Sequence, residues 1–487
     1  MKITYHSTRN SALTATASEA ILKGIAPDGG LYVPDKIPKL GCSFEALAKM
    51  DYAHVAYEVM KLFFTDFSEE ELMNCIKGAY MSGKFDTDDI TTLVEADGAY
   101  YLELFHGSTI AFKDMALSIL PYLMTTSAKK CGAKEEIVIL TATSGDTGKA
   151  ALAGFADVPG TSIVVFYPKD GVSRVQEKQM VTQRGANTHV IGIKGNFDDA
   201  QSAVKAIFTD PELAERMGKA GYRFSSANSI NIGRLIPQVA YYVYAYSRLC
   251  PEKINFVVPT GNFGNILAAY YACKMGIPVN KLICASNRNK VLFDFFETGV
   301  YDKNRDFYLT PSPSMDILIS SNLERLIAEI AGEKTSDLMA ELKNTGKYEI
   351  TAEMKAKLDK FVGGYAEDKE MAAAISDLYN KEGYIIDTHT AVAAAVYNKY
   401  RRETGDTTCT VIASTASPYK FTRAVLNSID AKYDEKEDFE LFDDLNRLSG
   451  VEIPQAIRDI ISAPVLHDTV CEKDGLMAEV EKIYLNK

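Results

Sequence analysis

Short apolar runs alternate with longer amphipathic segments along most of the chain. "AYYLELF", "EEIVILTA", "TSIVVFYP", "KINFVVP" and "TTCTVIAS" are apolar runs of strand length, and loops and segments of helical periodicity separate them. Strands that are apolar on both faces and alternate with helices are typical of parallel sheets that helices cover on both sides. The pattern therefore predicts an α/β protein with right-handed crossovers between its strands.

Two other regions show a different pattern. The first hundred residues carry turn signals in "APDGGLYVPDKIP", and helical periodicity follows from about Phe44 to Tyr80. From about Gly332 to Lys381 the chain is charged and helical, which is typical of a solvated helix face. A length of 487 residues predicts two to four domains.

Charge and cysteine content exclude several classes of function. The net charge of −12 and a pI of about 5.2 argue against nucleic acid or an anionic membrane as the main partner. The eight cysteines show no C-x-x-C spacing and no cluster with histidine, so we expect no metal site and a reducing compartment. No signal peptide and no apolar run of about 18 residues is present, which predicts a cytoplasmic protein without a membrane span.

A glycine-rich loop, "PTGNFGNILAAY" (259–270), follows one predicted strand and opens a helix. Gly261 and Gly264 allow the backbone to approach a ligand closely, and a helix N-terminus presents free amides to an anion. The dinucleotide pattern G-x-G-x-x-G is absent, which disfavours a nicotinamide cofactor. Taken alone, phosphate binding and a plain strand–turn–helix corner are equally good interpretations of the loop.

A second corner, "TSGDTGKAA" (143–151), resembles a nucleotide-binding P-loop but lacks its spacing, and its lysine is not followed by Ser or Thr. The side chains of Ser144, Asp146 and Thr147 can contribute to a carboxylate-binding loop through hydroxyls and backbone amides. Taken alone, however, helix capping by Asp146 or Thr147 is the favoured interpretation.

Two further corners carry polar side chains. "SSANSINIGRLIPQ" (225–238) places Asn228, Ser229 and Arg234 around the start of an aromatic-rich helix, and an arginine fork suits phosphate. An ordinary helix cap with a surface arginine is the simpler interpretation of this motif alone. "ASTASPYKF" (413–421) ends another strand with hydroxyl residues and by itself says little.

Lys113 lies in the apolar context of "HGSTIAFKDMAL" (106–117). A buried lysine costs several kcal/mol unless it is paired or neutral, and a neutral amine is a nucleophile. The alternative is that its ammonium reaches water or pairs with Asp114. Parallel sheets bring their loop corners together at one edge, so this lysine is expected beside the glycine-rich loop. A lysine that forms a Schiff base next to a phosphate cup is what pyridoxal 5'-phosphate requires.

Taken together, these motifs identify a resemblance to the threonine synthases of the shorter bacterial and fungal type. The motifs occur in family order and span most of the chain: "STRN", "APDGGLYVP", "HGSTIAFKD", "SGDTG", "ANSINIGRL", "PTGNFGN", "PSMDI", "SSNLERL" and "TASPYKF". The resemblance implies a fold-type II pyridoxal-phosphate enzyme, similar to tryptophan synthase β, with two α/β domains, parallel-rich sheets and an N-terminal helical region.

The resemblance also implies a domain arrangement and an assembly. Residues 1–95 are expected to pack on a large cofactor-binding domain formed by residues 96–131 and 235–487. A small mobile α/β domain is expected at residues 132–234. We expect a monomer or a homodimer.

The activity implied is the conversion of O-phospho-L-homoserine and water to L-threonine and phosphate, with no metal. Lys113 is implied as the catalytic lysine that binds pyridoxal 5'-phosphate covalently. For the cofactor, the resemblance implies that its phosphate contacts Gly261, Asn262, Phe263, Gly264 and Asn265 and that its pyridine nitrogen contacts Thr415. For the substrate, it implies that the carboxylate contacts Ser144, Asp146 and Thr147. The implied contacts of the substrate phosphate are Asn228, Ser229 and Arg234.

Three positions depart from the family pattern: Ser108 replaces a usual proline, Ser417 a usual histidine, and Asn265 a frequent aspartate. His106 and His389 are near the motifs but are given no role. Two alternatives remain at this stage: a dehydratase-like enzyme on the same scaffold, acting on serine or threonine, and a catalytically silent phosphate-binding homologue.

Overall fold

The computed structural model describes residues 2–143, 145–172 and 174–486, with only the backbone of Asp198. The N-terminal part contains β1 (Tyr5–Ser7), β2 (Thr14–Ala15), α1 (Ala17–Lys23), β3 (Tyr32–Pro34), α2 (Phe44–Leu47), α3 (Tyr52–Phe63) and α4 (Glu69–Tyr80). The next elements are β4 (Thr92–Ala96), β5 (Ala99–Glu103), α5 (Lys113–Leu117) and α6 (Leu120–Lys130).

The middle of the chain alternates strands and helices. Its elements are β6 (Glu136–Ala142), α7 (Asp146–Phe155), β7 (Thr161–Pro168), α8 (Arg174–Val181), β8 (Thr188–Lys194), α9 (Phe197–Thr209), α10 (Pro211–Lys219) and β9 (Tyr222–Ser225). These are followed by α11 (Ile232–Leu249), β10 (Ile254–Pro259), α12 (Gly264–Met275), β11 (Val279–Ser286), α13 (Val291–Thr298) and β12 (Val300–Asp302).

The C-terminal part is mostly helical. It contains α14 (Leu323–Ala331), α15 (Thr335–Thr345), β13 (Lys347–Glu349), α16 (Ala352–Ala356), β14 (Phe361–Tyr365), α17 (Asp368–Glu382), α18 (Thr388–Thr404) and β15 (Cys409–Ser414). The last elements are α19 (Thr422–Ile429), α20 (Glu440–Ser449), α21 (Gln455–Ser462), β16 (Val470–Glu472) and α22 (Leu476–Tyr484). Short 3-10 turns occur at Pro313–Met315, Gly332–Lys334, Pro418–Phe421 and Ala431–Tyr433.

The larger of the two main sheets has the strand order β14-β11-β10-β15-β5-β4. All its pairings are parallel except that of the edge strand β4 with β5. Every residue of β10, "INFVVP", is buried, because helices cover both faces of a parallel sheet. The sheet confirms the fold class that the apolar strand runs predicted.

The smaller main sheet has the order β16-β8-β7-β6-β9 and is parallel throughout. All eight residues of β7 are buried. The edge strand β16 and the helix α22 come from the C-terminus, and Leu476, Val480 and Tyr484 of α22 join the apolar core of this sheet. The sequence had placed these residues with the large domain, because their short apolar pattern does not specify which sheet they join. The domain boundaries stay a prediction.

The N-terminal region shares an apolar core with residues of both main sheets. Strands β2, β1 and β3 form a small antiparallel sheet, and α3 packs against α11 within one continuous apolar core. Capping boxes start two helices, Thr16 with Glu19 at α1 and Ser68 with Glu71 at α4. Each box satisfies amides at a helix start that have no intrahelical acceptor.

In both main sheets, the loops that carry the predicted motifs follow the carboxyl ends of parallel strands. The loops after β6, β10 and β15 line one cavity of about 540 Å³. Ligand crevices in α/β proteins form at such strand ends. In the part of the chain that the structure describes, no helix is long and apolar enough to cross a membrane.

Candidate active site

The cavity collects nearly all the site residues that the sequence predicted. Ser144 lies outside the described residues, so its position in the site stays a prediction. The predicted residues that line the cavity are Lys113, Asp146, Thr147, Asn228, Ser229, Arg234, Gly261, Asn262, Phe263, Gly264, Asn265 and Thr415. Residues as far apart in sequence as Lys113 and Thr415 therefore line the same cavity.

Lys113 begins α5 and is held by a short backbone connection to the end of β15. The amide of Phe112 donates to the carbonyl of Thr415 at 2.8 Å, and the amide of Ser417 donates to the carbonyl of Ile110 at 3.0 Å. Ile110 has φ of 52°, a left-handed conformation that redirects the chain into the helix. These contacts fix the lysine against the strand end rather than leaving it on a free loop.

The side chain of Lys113 does not pair with its neighbour Asp114. Asp114 instead accepts hydrogen bonds from the amide and hydroxyl of Thr109, at 2.8 and 2.6 Å. The Lys113 Nζ lies 3.2 Å from the hydroxyl of Ser314 and 3.6 Å from Asp146 Oδ2, and its side chain is 12% exposed. The alternative that the ammonium reaches bulk water or pairs with Asp114 is therefore wrong, because the amine points into the cavity.

The environment of the cavity lowers the pKa of both Lys113 and Asp146. Burial lowers the pKa of Lys113, and the nearby cations Lys420 and Arg234 lower it further, against the attraction of Asp146. Burial alone would raise the pKa of Asp146, but Lys420 and then Lys113 outweigh it and lower that pKa. The cavity thus favours an ionised carboxylate beside an amine that gives up its proton more readily than a free lysine.

The glycine-rich loop is shaped by close backbone contacts. A Cβ at Gly261 would lie 2.4 Å from the carbonyl oxygen of Ser314, so only glycine fits this position. Phe263 adopts φ of 65° and caps α12, which begins at Gly264. The first amides of α12 have no intrahelical acceptor, so the loop presents an anion-binding helix start to the cavity.

Asn265 adds an unusual polar group to this loop. Its side-chain oxygen accepts hydrogen bonds from the hydroxyls of Tyr241 and Tyr242, at 2.7 and 2.6 Å. Its Nδ2 is buried and has no hydrogen-bond partner among the described residues. A buried donor without a partner is costly, so the position is suited to a ligand oxygen. The amide that replaces the frequent aspartate supplies this donor without a negative charge.

Arg234 is a buried cation in the first turn of α11. Its side chain is 4% exposed, its Nη1 donates to the carbonyl of Ala227 at 2.9 Å, and its Nε has no partner among the described residues. Burial lowers the pKa of Arg234 to about 10. No salt bridge to Arg234 occurs among the described side chains, so the cavity holds a guanidinium that an external anion can satisfy.

Pyridoxal 5'-phosphate fits these residues. The cofactor needs an amine for its aldehyde and donors for its phosphate, and the cavity offers Lys113 together with the α12 helix start and the Nδ2 of Asn265. Because Gly261 lacks a Cβ, the loop packs directly against Ser314 and leaves the cavity open above it. No group of His, Cys, Asp or Glu within the described ranges is arranged to hold a metal ion.

Three residues that the sequence analysis did not assign also shape the site: Ser314, His389 and Lys420. Ser314 donates its hydroxyl to Asp146 Oδ2 at 2.9 Å, and its amide donates to Nε2 of His389 at 3.1 Å. Lys420 lies 3.3 Å from Asp146 Oδ1. Ser314 and Lys420 lie in the motifs "PSMDI" and "TASPYKF", but only folding brings these two residues to Asp146 and places His389 next to Ser314.

Ser417 and Ser108, which depart from the family pattern, and His106 each form hydrogen bonds that support the local structure. Ser417 caps the 3-10 turn Pro418–Phe421 by accepting from the amide of Tyr419 at 3.3 Å, and Ser108 donates to the carbonyl of Lys84 at 3.2 Å. His106 pairs with Asp86 and Glu103 at 2.8 and 3.1 Å and is absent from the cavity lining. Serine at 417 therefore maintains a turn, and His106 belongs to a separate ion cluster.

Three family models match successive parts of the chain. "Threonine synthase N terminus" matches residues 4–80, "Pyridoxal-phosphate dependent enzyme" matches residues 90–415, and "Threonine synthase, C-terminal" matches residues 390–461. The middle model alone covers more than half of the chain, and it contains every residue of the cavity described above.

Individual proteins show the same likeness. Threonine synthase of Saccharomyces cerevisiae is 35% identical over 463 residues, which cover 87% of this chain and 89% of the yeast protein. The crystal structure of PLP-bound threonine synthase from Brucella melitensis superposes with a TM-score of 0.87 at 35% identity, over 99% of both chains. "Threonine synthase-like 1" of Macaca fascicularis is 37% identical, and the match covers 95% of this chain. It covers only 63% of the length of the macaque protein.

Proposed function

The chain belongs to the threonine synthase family of pyridoxal-phosphate-dependent enzymes, and we propose that it converts O-phospho-L-homoserine and water to L-threonine and phosphate. One observation carries the proposal: a buried amine, Lys113, shares its cavity with two separate places for an anion. One place is the helix start at Gly264, and the other is the unpaired guanidinium of Arg234. A phosphorylated substrate and a phosphorylated cofactor together need two such places.

We assign the cofactor contacts as follows. Lys113 binds the cofactor through its amine, Thr415 provides a hydroxyl for the pyridine nitrogen, and residues 261–265 hold the phosphate. A hydroxyl is a neutral partner, so the ring nitrogen does not gain the proton that a carboxylate would hold there. When bound, pyridoxal 5'-phosphate supplies an electron sink that stabilises negative charge on the carbon next to the substrate amino group.

The substrate is held at its two charged ends. We assign the substrate phosphate to Arg234 with Asn228 and Ser229, where a guanidinium can form two parallel hydrogen bonds to phosphate oxygens. We assign the α-carboxylate to the loop that contains Ser144 and Thr147. Asp146 also belongs to this loop, but its carboxylate is ionised and engaged with Ser314 and Lys420, so it orients the loop and does not bind the substrate anion itself.

Lys113 moves the protons of the reaction. With a lowered pKa its amine accepts the proton from Cα of the substrate, and from the same position it reaches Cβ. Arg234 neutralises the charge that develops as phosphate leaves Cγ, which is an electrostatic contribution to the rate. Lys113 also takes a proton from Cβ as phosphate leaves, and Cγ gains a proton to become the methyl carbon of threonine. Water then adds its hydroxyl at Cβ, and Lys113 returns a proton to Cα. Residues 132–234, as the mobile domain, close over the cavity and control when water enters.

The decisive assay measures phosphate release and threonine formation from O-phospho-L-homoserine with the cofactor-loaded full-length protein. Lys113→Ala is the control, and its rate should fall by at least about a thousandfold, as expected when a covalent anchor and its acid–base function are lost together. Absence of threonine with the unmodified protein contradicts the proposal, whatever the variant does.

Two alternatives give different results in the same experiment. A dehydratase-like enzyme would form a keto acid from L-serine or L-threonine and would not depend on Arg234. A catalytically silent phosphate-binding protein would form no product, and borohydride treatment in the presence of cofactor would leave Lys113 unlabelled. The unpaired Arg234 favours the synthase over both, because it provides a second anion site inside the cavity that contains the amine.

We also propose a cytoplasmic location and a small-molecule substrate as the main partner, with a monomer or homodimer as the assembly. Each of the eight cysteines is a free thiol in the structure, which suits a reducing compartment. The net charge of −12 disfavours nucleic acid as a partner.

A further inference from the structure

A second lysine, Lys420, is buried at the edge of the cavity and touches the same carboxylate as Lys113. Its side chain is 3% exposed, which is less than the 12% of Lys113. Its Nζ lies 3.3 Å from Asp146 Oδ1 and donates to the carbonyl of Thr109 at 3.1 Å. Two buried ammonium groups thus compete for one carboxylate.

The distances to Asp146 show that Lys420 lies closer to the carboxylate than Lys113 does. Asp146 presents Oδ1 to Lys420 at 3.3 Å and Oδ2 to the hydroxyl of Ser314 at 2.9 Å, whereas Lys113 is 3.6 Å from Oδ2. The nearer hydrogen-bonding contact of Lys113 is the neutral Ser314 hydroxyl, at 3.2 Å. The carboxylate therefore has its closest cation in Lys420, and Lys113 is the more weakly held of the two.

We propose that Lys420 is the permanent counter-ion of Asp146 and that this pairing leaves the amine of Lys113 free to react. Without Lys420, Lys113 would be the remaining ammonium within salt-bridge distance of Asp146 among the described residues, and a close ion pair would keep that amine protonated and unreactive. Lys420 is a positioning residue: it acts on the reacting amine through Asp146 and is not itself among the cavity-lining residues. This inference rests on the role proposed above for Lys113.

The remaining charged groups around the amine act in a consistent direction. Arg234 on α11 and Lys420 both disfavour a protonated Lys113, and the carboxylate of Asp146 on α7 favours it. His389 lies next to Ser314: its Nε2 accepts the N–H of Ser314 at 3.1 Å, and its Nδ1 lies 2.8 Å from Asp387 Oδ2. Lys420 is thus the cation that both occupies Asp146 and repels Lys113.

The pairing also joins two parts of the fold. Asp146 begins α7, directly after the smaller sheet's strand β6, whereas Lys420 lies in the 3-10 turn after β15 of the larger sheet. The contact therefore links the loop 145–147, after β6 of the smaller sheet, to the turn that follows β15 of the larger sheet. The turn itself is fixed by Ser417, which caps it.

The inference is tested by the titration of Lys113 in the full-length protein. Competitive labelling with acetic anhydride across pH, read by peptide mass spectrometry on cofactor-free protein, gives the pH at which half of Lys113 is neutral. In Lys420→Met this midpoint should rise by about one pH unit or more, because an opposing cation is lost and a carboxylate is released. In Lys420→Arg, which restores the charge, it should return toward that of the unmodified protein.

A matched control and a second variant complete the test. Lys399 also contacts a carboxylate, Glu370 at 2.7 Å, and a backbone carbonyl, that of Tyr365 at 2.9 Å, but lies outside the cavity lining. Lys399→Met should therefore leave the Lys113 midpoint unchanged. If Lys420→Met does not fold, Asp146→Asn serves instead, and its midpoint should fall because the attraction of the carboxylate is removed.

Two outcomes overturn the inference: an unchanged midpoint in folded Lys420→Met, or an unchanged or raised midpoint in Asp146→Asn. In the cofactor-loaded protein, the pH titration of the cofactor absorbance should move in the same direction in Lys420→Met, since the same nitrogen titrates. Failure of the proposed function is read separately, as the absence of threonine formation by the unmodified protein, and it does not alter the labelling result.

Discussion

Two buried arginines, Arg325 and Arg234, differ in how many of their hydrogen-bond donors have a partner. Arg325 is 2% exposed and Arg234 is 4% exposed, and burial lowers the pKa of each to about 10. Neither forms a salt bridge with a carboxylate among the described side chains. Arg325 nevertheless donates to three oxygen atoms, whereas the Nε of Arg234 has no partner there.

The acceptors of Arg325 explain its place in the structure. It donates to the carbonyl of Tyr32 at 2.9 Å, to the carbonyl of Ile230 at 2.5 Å, and to the side-chain oxygen of Asn322. Asn322 in turn donates through its Nδ2 to the carbonyl of Asn262 at 3.0 Å. Arg325 thus ties the N-terminal region to the loops around the cavity. A buried cation with satisfied donors supports the fold, and one with spare donors is available to a ligand.

The largest effect is expected for Arg325→Met. The change leaves several buried oxygens without donors, each at a cost of about 1–3 kcal/mol, so we expect a total loss of about 3–5 kcal/mol. In a chain of 487 residues the melting temperature should fall by about 3–5 °C. Differential scanning calorimetry of the cofactor-free protein measures it. An unchanged melting temperature would mean that Arg325 is not the structural member of the pair.

Arg234→Met should have the opposite profile. Removal of a buried guanidinium without a counter-charge should leave the melting temperature of the cofactor-free protein unchanged or higher. The kcat/KM for O-phospho-L-homoserine should fall by about 10²- to 10³-fold, because charged hydrogen bonds to the substrate phosphate are lost. KM should rise through weaker substrate binding, and kcat should fall because the charge on the leaving phosphate is no longer neutralised. Arg234→Lys, which keeps the charge without the fork, should be intermediate.

Binding of inorganic phosphate gives an independent check of the same residue. Phosphate should raise the melting temperature of the cofactor-loaded, unmodified protein through binding to the native state, and this rise should be absent in Arg234→Met. Equal stabilisation of both proteins would place the second anion site elsewhere.

A smaller effect should separate two glycines of the phosphate loop. In Gly261→Ala the new methyl group would lie 2.4 Å from the carbonyl of Ser314, so the loop must shift at a cost of about 1–3 kcal/mol. In Gly264→Ala the nearest atom would be Asn322 Nδ2 at 3.5 Å, an ordinary contact. Thermal melting of the two cofactor-free variants should therefore differ, and equal melting temperatures would contradict the strained contact.

The smallest effect concerns a buried cation that is fully paired. Burial lowers the pKa of His106, but hydrogen bonds and charge from Asp86 and Glu103 outweigh it and raise that pKa to about 9. Since the pKa is raised above its ordinary value of 6.5, the stabilisation is present below pH 6.5 and is lost as the pH rises through about 9. The stability difference between the unmodified protein and His106→Gln, about 1–2 kcal/mol at pH 6, should shrink toward pH 9.5. Melting temperatures measured across this range test it, and a difference that grows with pH would contradict the assignment.

The sequence determined the strands, their burial and the loops that bear the chemistry. The continuous apolar runs that became β7 and β10 have no polar face, so they could only lie inside a covered parallel sheet. Gly261, which follows β10, and Lys113, which follows β5, lie in short motifs that can be recognised in the sequence. Their arrival at one cavity followed from the rule that parallel strand ends share an edge.

Only the tertiary structure decided which side chains meet. The sequence assigns Asp146 to the loop for the substrate carboxylate, and only the folded chain shows that its own carboxylate contacts Lys420 and Ser314, which lie 274 and 168 positions further along the chain. Both Arg234 and Arg325 lie near a helix start, and only the folded structure shows that the donors of Arg325 are satisfied and that the Nε of Arg234 has no partner among the described residues. The energy of a buried charge depends on the donors, acceptors and charges within a few ångströms, and a chain brings those together only when it folds.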